Sequence, residues 1–244
     1  MKIIQITDIH INPKDELVNG VDTRKNFLKV LEEVSQIDYD FVVFSGDLSF
    51  QNANPDVYKW IMEQLKNYKI EKYRIIPGNH DESSVLAKSF GIGNYLHGTE
   101  MFYTEKPNYL FLDTALGYCS DDQWKWIDDT ISNIDTDKMI VFMHHPPFKA
   151  GVPHMDGKYS FQQSEQFEYS FSKFKGDVFV LCGHYHNEIF LKRNNINIFI
   201  TPSTYLQISN KTVEFNIEHR VPGYRVIEIL NNEIKTSVKY VFDK

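Results

Sequence analysis

The residues able to do chemistry stand at the ends of short apolar runs. Asp8 and His10 follow the run from Lys2, and Gly46-Asp47 follows the run from Phe41. Gly78-Asn79-His80-Asp81, Met143-His144-His145-Pro146-Pro147 and Gly183-His184-Tyr185-His186 each close a run of the same kind. In extended chain, residues i and i+2 point to one side, about 7 Å apart. An ion between Asp8 and His10 can therefore take a carboxylate oxygen and an imidazole nitrogen. Gly46 permits a tight turn, and the two oxygens of Asp47 can bridge two ions. Asn79 offers a neutral amide oxygen, and His80 a group that can carry a proton. The prolines after His144 and His145 stiffen their loop, so that one imidazole can bind metal while the other lines a pocket. His184 and His186 repeat the i, i+2 arrangement. Mixed oxygen and nitrogen donors suit Mn, Fe or Zn better than Mg or Ca.

Taken singly, Asp8-x-His10 and Gly46-Asp47 read as ordinary turn residues. Together they do not. Six of the nine histidines (His10, His80, His144, His145, His184, His186) lie in these run-end motifs, and only His97, His154 and His219 lie elsewhere. Surface histidines would not gather at such positions.

The runs at residues 2–7, 41–44, 73–76, 109–112, 139–143 and 177–182 are rich in Val, Ile and Phe and read as buried strands. Helical spacing marks the segments between them. Residues 23–36 place Phe27, Val30, Leu31 and Val34 on one face, and residues 56–66 do so with Val57, Trp60, Ile61 and Leu65. Residues 120–134 open on Ser120-Asp121-Asp122-Gln123, a capping-box pattern, followed by Trp124, Ile127 and Ile131. Residues 162–174 read as a further helix, and residues 189–241 as a meander of strands turning at Asn194-Asn195 and Asn231-Asn232. The expectation is an α/β chain of layered sheets covered by helices, in one domain over residues 1–244. Ligands in open α/β folds bind beyond the carboxyl ends of strands, which is where the polar motifs fall. Asp113, at the end of another run, reads as structural, as do His97 and His219.

The chain is 42% hydrophobic, enough for a sizeable core, and its net charge of -7 makes it a poor non-specific partner for nucleic acid or anionic membrane. Its two cysteines, Cys119 and Cys182, fit a reducing compartment better than a disulfide framework. No run approaches the ~20 apolar residues that span a bilayer. A soluble, cytoplasmic protein is expected.

Asp8-x-His10, Gly46-Asp47, Gly78-Asn79-His80-Asp81, His144-His145-Pro146-Pro147 and Gly183-His184-x-His186 resemble, as an ordered set, the calcineurin-like metallophosphoesterases. Trp124-Lys125-Trp126-Ile127, Thr201-Pro202-Ser203-Thr204 and Pro222-Gly223-Tyr224-Arg225 are similar to features of the class III cyclic nucleotide phosphodiesterases and their glycerophosphodiesterase relatives. The resemblance implies a four-layer α/β/β/α sandwich of two mixed sheets flanked by helices. It implies that Asp8, His10, Asp47 and His186 hold one ion, that Asp47, Asn79, His144 and His184 hold the other, and that His80 acts near the leaving group or the phosphate. His145 belongs to the pocket wall or behind the ligands.

The activity expected is hydrolysis of phosphodiesters, 3′,5′-cyclic nucleotides among them. A water bridging the two ions would attack phosphorus without a phosphoenzyme. A phosphomonoesterase or pyrophosphatase would use the same site, and a non-catalytic metal-binding module is the reading from another class. The partner expected is a small phosphorylated substrate, with no nucleic acid and no membrane, and a homodimer is left open. The loop 151–157 follows the His-His-Pro-Pro motif and would cover the pocket, with His154 and Asp156 touching substrate.

Overall fold

The structure, a computed structural model, describes residues 1–14, 16–231 and 233–243. In chain order it runs β1 (Lys2–Ile6), α1 (Thr23–Val34), β2 (Phe41–Ser45), α2 (Pro55–Asn67), β3 (Tyr73–Ile76), α3 (Ser83–Phe90), β4 (Leu96–His97), β5 (Glu100–Met101), β6 (Tyr103–Thr104) and β7 (Tyr109–Phe111). It continues with α4 (Asp121–Asn133), β8 (Lys138–Phe142), α5 (Pro153–Lys158), α6 (Ser164–Phe171), β9 (Asp177–Cys182), β10 (Ile189–Arg193), β11 (Ile196–Ile200), β12 (Gln207–Ile208), β13 (Ile217–His219), β14 (Gly223–Leu230) and β15 (Glu233–Tyr240).

One sheet has the order β15-β14-β1-β2-β3, the other β10-β11-β9-β8-β7-β6. Both are mixed. In the first, β1, β2 and β3 run parallel while β14 joins β1 antiparallel. In the second, β7, β8, β9 and β11 run parallel, and β6 and β10 close the edges antiparallel.

Side-chain alternation along the central strands builds three apolar layers. On β1, Ile4 and Ile6 face α1 and α2, whereas Ile3 faces the second sheet. On β8, Met139 and Val141 face α4 and α6, whereas Ile140 and Phe142 face the first sheet. Helices thus cover the outer face of each sheet, and the two inner faces meet at Ile3, Val43, Phe142 and Leu181. This is the α/β/β/α sandwich.

The apolar stripes of α1 and α4 are buried as their spacing indicates. On α2 the fully buried aromatic is Tyr58, not Trp60. Trp60 lies at the surface end of the stripe, under the guanidinium of Arg24 at 4.6 Å. The capping box of α4 is half formed. Ser120 accepts the Gln123 N–H, but the Gln123 side chain is spent on the backbone N–H and carbonyl of Asp113.

The stretch after residue 189 is not one meander. β10 and β11 complete the second sheet, joined through the turn at Asn194-Asn195, and β14 and β15 complete the first. The other expected turn involves Asn232, which lies outside the described residues. The expected loop at 151–157 folds largely into the short helix α5. Cys119 and Cys182 are free and buried.

Candidate metal centre

Both sheets end their parallel strands at one place. The loop after β1 carries Asp8 and His10, the loop after β2 carries Asp47, and the loop after β3 carries Asn79 and His80. From the second sheet, the loop after β8 carries His144 and His145, and the loop after β9 carries His184 and His186. Asp8, His10, Asp47, His144, His184 and His186 are all buried.

The loops reach this point by adopting a backbone that L-residues avoid. Asp8, His10, Asp47, His184 and His186 all have φ between 46° and 66°. That conformation costs about 1–2 kcal/mol per residue and persists only where the surroundings hold it. Glycines leave room for the crowding. A Cβ on Gly78 would overlap the Asp47 carboxylate, and one on Gly183 would overlap Thr7 and Asp8.

Three groups of ligand atoms result. Asp8, His10 and His186 form one, Asp47, His144 and His184 another, and His10 and Asp47 form a third with His80. Oδ2 of Asp47 lies 3.5 Å from His10 Nε2 and 3.4 Å from His144 Nε2, so it stands between them. Nε2 of His186 is 3.3 Å from Asp8 Oδ1 and 3.1 Å from His10 Nε2. Oδ1 of Asn79 is 3.2 Å from His144 Nε2.

The outer ring nitrogens fix which atoms face inward. Nδ1 of His144 donates to the Ser45 carbonyl, Nδ1 of His186 to the Leu206 carbonyl, and Nε2 of His184 to the Tyr159 carbonyl. The opposite nitrogens of His144 and His186 then face the buried carboxylates of Asp47 and Asp8 and the Asn79 amide oxygen, and among the described residues the buried Nδ1 of His10 has no hydrogen-bond partner. Such an arrangement fits cations, with ring orientation set by the outer hydrogen bonds.

The electrostatics agree. Burial opposes ionisation of Asp8, yet His186 and His144 hold it at about 2. Asp47 is likewise driven well below the usual range by His144 and His10, against its burial. Burial and neighbouring imidazoles push His184 down to about 4 and His145 well below its usual value, while burial takes His10 to about 3 despite Asp47. Burial thus favours the neutral form of His10 and His184, the form in which imidazoles bind metal. Burial would also lower His144, but Asp47 and Asp8 lift it to about 9. The two carboxylates thus call for positive charge beside them.

His80 stands at the open edge of these groups, its ring 5.1 Å from that of His10. Its Nδ1 faces the Gln51 carbonyl at 2.9 Å, its Nε2 is 3.9 Å from Asp47 Oδ2, and its ring is partly open to the cavity. Its backbone N–H donates to Asp47 Oδ1, which orients the bridging carboxylate. The cavity above, of about 340 Å³, is lined by Asn19, Phe50 and Tyr205, which neighbour one another, and by Met155, Tyr159 and Phe215.

His154 lines that cavity, with its Nδ1 on the Val213 carbonyl. Asp156 does not. Its carboxylate accepts the backbone N–H groups of Ala150, Gly151 and Val152 and so closes the turn into α5. His145 does not line the cavity either. It lies behind His184, ring centroids 4.1 Å apart, with Nδ1 on the Thr114 hydroxyl. Neither residue is placed to touch substrate.

Sequence reading missed the Asp81 junction. Its buried carboxylate accepts the Tyr58 hydroxyl and the N–H groups of Gly78, Leu48 and Ser49, so it ties the loop after β2 to the loop after β3. Burial and the charge of Asp47 push it up to about 6. The wall residues Phe50, Tyr159, Tyr205 and Phe215 carry no motif and were also missed.

A sequence profile described as calcineurin-like phosphoesterase matches residues 1–188, from the first strand through His186. The chain belongs to the calcineurin-like phosphoesterases. Members bind two divalent metal ions, and this phosphoesterase has candidate ligands for both. A probable cyclic nucleotide phosphodiesterase of Fibrobacter succinogenes is 35% identical, over 98% of this chain and 94% of its own. The 3′,5′-cyclic adenosine monophosphate phosphodiesterase CpdA of Escherichia coli K12 is 27% identical over 94% and 85%. Among solved structures, a dimetal phosphatase from Danio rerio shares the fold, with a TM-score of 0.64 at 12% identity and 98% coverage of each chain. Among the described residues of this phosphoesterase, no helix is long and apolar enough to cross a membrane.

Proposed function

We propose that this phosphoesterase hydrolyses phosphodiesters, 3′,5′-cyclic nucleotides among them, at a dinuclear centre. Asp8, His10, Asp47 and His186 hold one ion, and Asp47, Asn79, His144 and His184 hold the other. The observation that carries the reading is the position of Asp47 Oδ2, at nearly equal distance from His10 and His144. Mixed oxygen and nitrogen donors favour Mn, Fe or Zn. When bound, two such ions supply Lewis-acid charge at phosphorus and lower the pKa of water.

The chain's own residues do the rest. His80 donates from Nε2 to the phosphoryl oxygens or the leaving alkoxide. Because its Nδ1 is turned to the Gln51 carbonyl, that donation requires the imidazolium form. The buried ligand rings exclude bulk water from the floor of the cavity. The walls favour a diester. Ring and apolar side chains line the cavity, so the organic groups of a diester find cover there. His154, which also lines the cavity, is placed to touch those groups.

Both sheets supply ligands, so residues 1–244 act as one catalytic domain. Two free buried thiols suit a reducing, cytoplasmic setting, and a homodimer remains an expectation from sequence. The test is an assay with Mn of bis(p-nitrophenyl) phosphate, p-nitrophenyl phosphate and 3′,5′-cyclic AMP. Faster cleavage of the diester than of the monoester, with cleavage of the cyclic nucleotide, is expected. Monoester preference would overturn the diesterase reading.

A further inference from the structure

The Thr201-Pro202-Ser203-Thr204 motif has no part in the chemistry described so far, and it lies beyond the region matched by the family profile. It is nevertheless packed against the centre. The Ser203 hydroxyl donates to the Asp8 carbonyl at 2.8 Å and accepts the Tyr205 N–H at 2.8 Å. The Thr204 hydroxyl donates to the Thr7 carbonyl at 2.9 Å. Two residues on, the Leu206 carbonyl accepts Nδ1 of His186, and the Tyr205 ring lies 5.4 Å from that of His10. Asp8, His10 and His186 are thus all backed by residues 203–206.

The segment is itself rigid. Gln207 bonds both the N–H and the carbonyl of Ser203 through its side chain, and Gly223 donates to the same carbonyl. Asn26 on α1 donates to the Thr204 and Tyr205 carbonyls. Ser203 and Thr204 are buried.

The other ligand set leans elsewhere. His144 is oriented by Ser45, His184 by Tyr159, and Asp47 by the His80 N–H. The two sets are linked by the His184 N–H onto the Asp8 carboxylate and by the His10 N–H onto the Asp47 carbonyl, bonds that fix backbone and not the His184 ring, and His144 Nε2 lies 3.9 Å from Asp8 Oδ1.

We infer that Ser203 is a positioning residue for the Asp8, His10 and His186 ion alone, holding the left-handed backbone at Asp8 through its carbonyl. The inference rests on the two ligand sets proposed above. Its consequence is an asymmetric centre, in which the C-terminal segment tunes the affinity of one ion and leaves its neighbour unchanged.

The experiment is calorimetric Mn titration of chelator-stripped protein. The wild type binds two ions; a wild type that binds fewer overturns the ligand sets themselves. Ser203→Ala is then compared in two backgrounds. In His184→Ala, which disables the second set, it weakens the remaining ion by about 10–100-fold, the usual cost of losing a ligand's supporting partner. In His186→Ala, which disables the first set, it shifts the remaining ion by less than about twofold. Equal weakening in both backgrounds, or none in either, overturns the inference. Should Ser203→Ala not fold, Thr204→Val removes only the hydroxyl on the Thr7 carbonyl, and the same one-sided weakening is expected of it.

Discussion

Nε2 of His144, from the loop after β8 of one sheet, lies 3.4 Å from Oδ2 of Asp47, from the loop after β2 of the other. That contact closes the centre across the sandwich. The same Asp47 oxygen is 3.5 Å from His10, so one carboxylate joins both ligand clusters and both sheets. The proposed mechanism then divides cleanly into residues that hold charge and one residue, His80, that moves a proton.

His80→Ala separates those tasks. The His80 side chain is in neither proposed ligand set, so metal content should be retained. Turnover should fall by about 10²–10⁴-fold, the usual weight of general acid catalysis. The fall should be smallest for p-nitrophenyl esters, whose leaving group needs no proton, and largest for alkyl esters. Equal losses for both leaving groups, measured as kcat, would remove the acid role.

Phe50→Ala tests the wall beside Asn19 and Tyr205. Stacking a base on an aromatic side chain is worth about 1–3 kcal/mol. Cyclic AMP should therefore show a KM raised by about five- to a hundredfold, with kcat little changed. A small dialkyl phosphate should be unaffected. Unchanged KM for cyclic AMP would place the base elsewhere.

Tyr58→Phe tests the Asp81 junction. It removes the hydroxyl on a buried carboxyl that joins two ligand-bearing loops. A hydrogen bond to a charged group is worth about 1.5–3 kcal/mol, and urea unfolding should show a loss of that order. No loss would mean that the three backbone N–H groups suffice.

Asp113 gives a pH-dependent prediction. Burial raises its pKa, although the Ser83 hydroxyl and the Met101 and Ala115 N–H groups oppose the rise. The folded state therefore binds more protons than the unfolded state, and this group's contribution falls as pH rises. It is full below about 3.9, the unfolded value, and is lost through the raised folded value. Asp113→Asn should lose this dependence. The stability difference between wild type and variant, followed by urea unfolding across pH, should move in favour of the variant as pH rises. The opposite slope would show that the three donors outweigh burial.

The sequence made the centre legible because its ligands sit in short motifs whose geometry is local. Asp8-x-His10 and His184-x-His186 each bring two donors to the centre, though in left-handed backbone and not in the extended chain their spacing suggested. The richness of the runs of β1 and β8 in Val, Ile and Phe likewise told that they were buried. What stayed hidden depends on contacts that no short pattern encodes, most of them distant in sequence. Nothing near Asp156 shows that its carboxylate is taken up by three backbone N–H groups, and nothing near His145 shows that it packs behind His184. Gln123 matched a capping box, yet its side chain was claimed by Asp113. The cavity walls come from residues 50, 159, 205 and 215, which the fold brings together without any pattern. Residues 201–204 carried a motif but not its meaning, since their hydroxyls act on the end of β1, far away in the chain.

The most direct test of the dinuclear centre is the metal content of Asp47→Ala beside that of the wild type, measured by elemental analysis after loading with Mn. The account predicts two ions per chain in the wild type and loss of both in the variant, with activity down by about 10³-fold or more, some 4 kcal/mol of barrier. A variant that keeps two tightly bound ions would contradict the bridge and, with it, the centre proposed here.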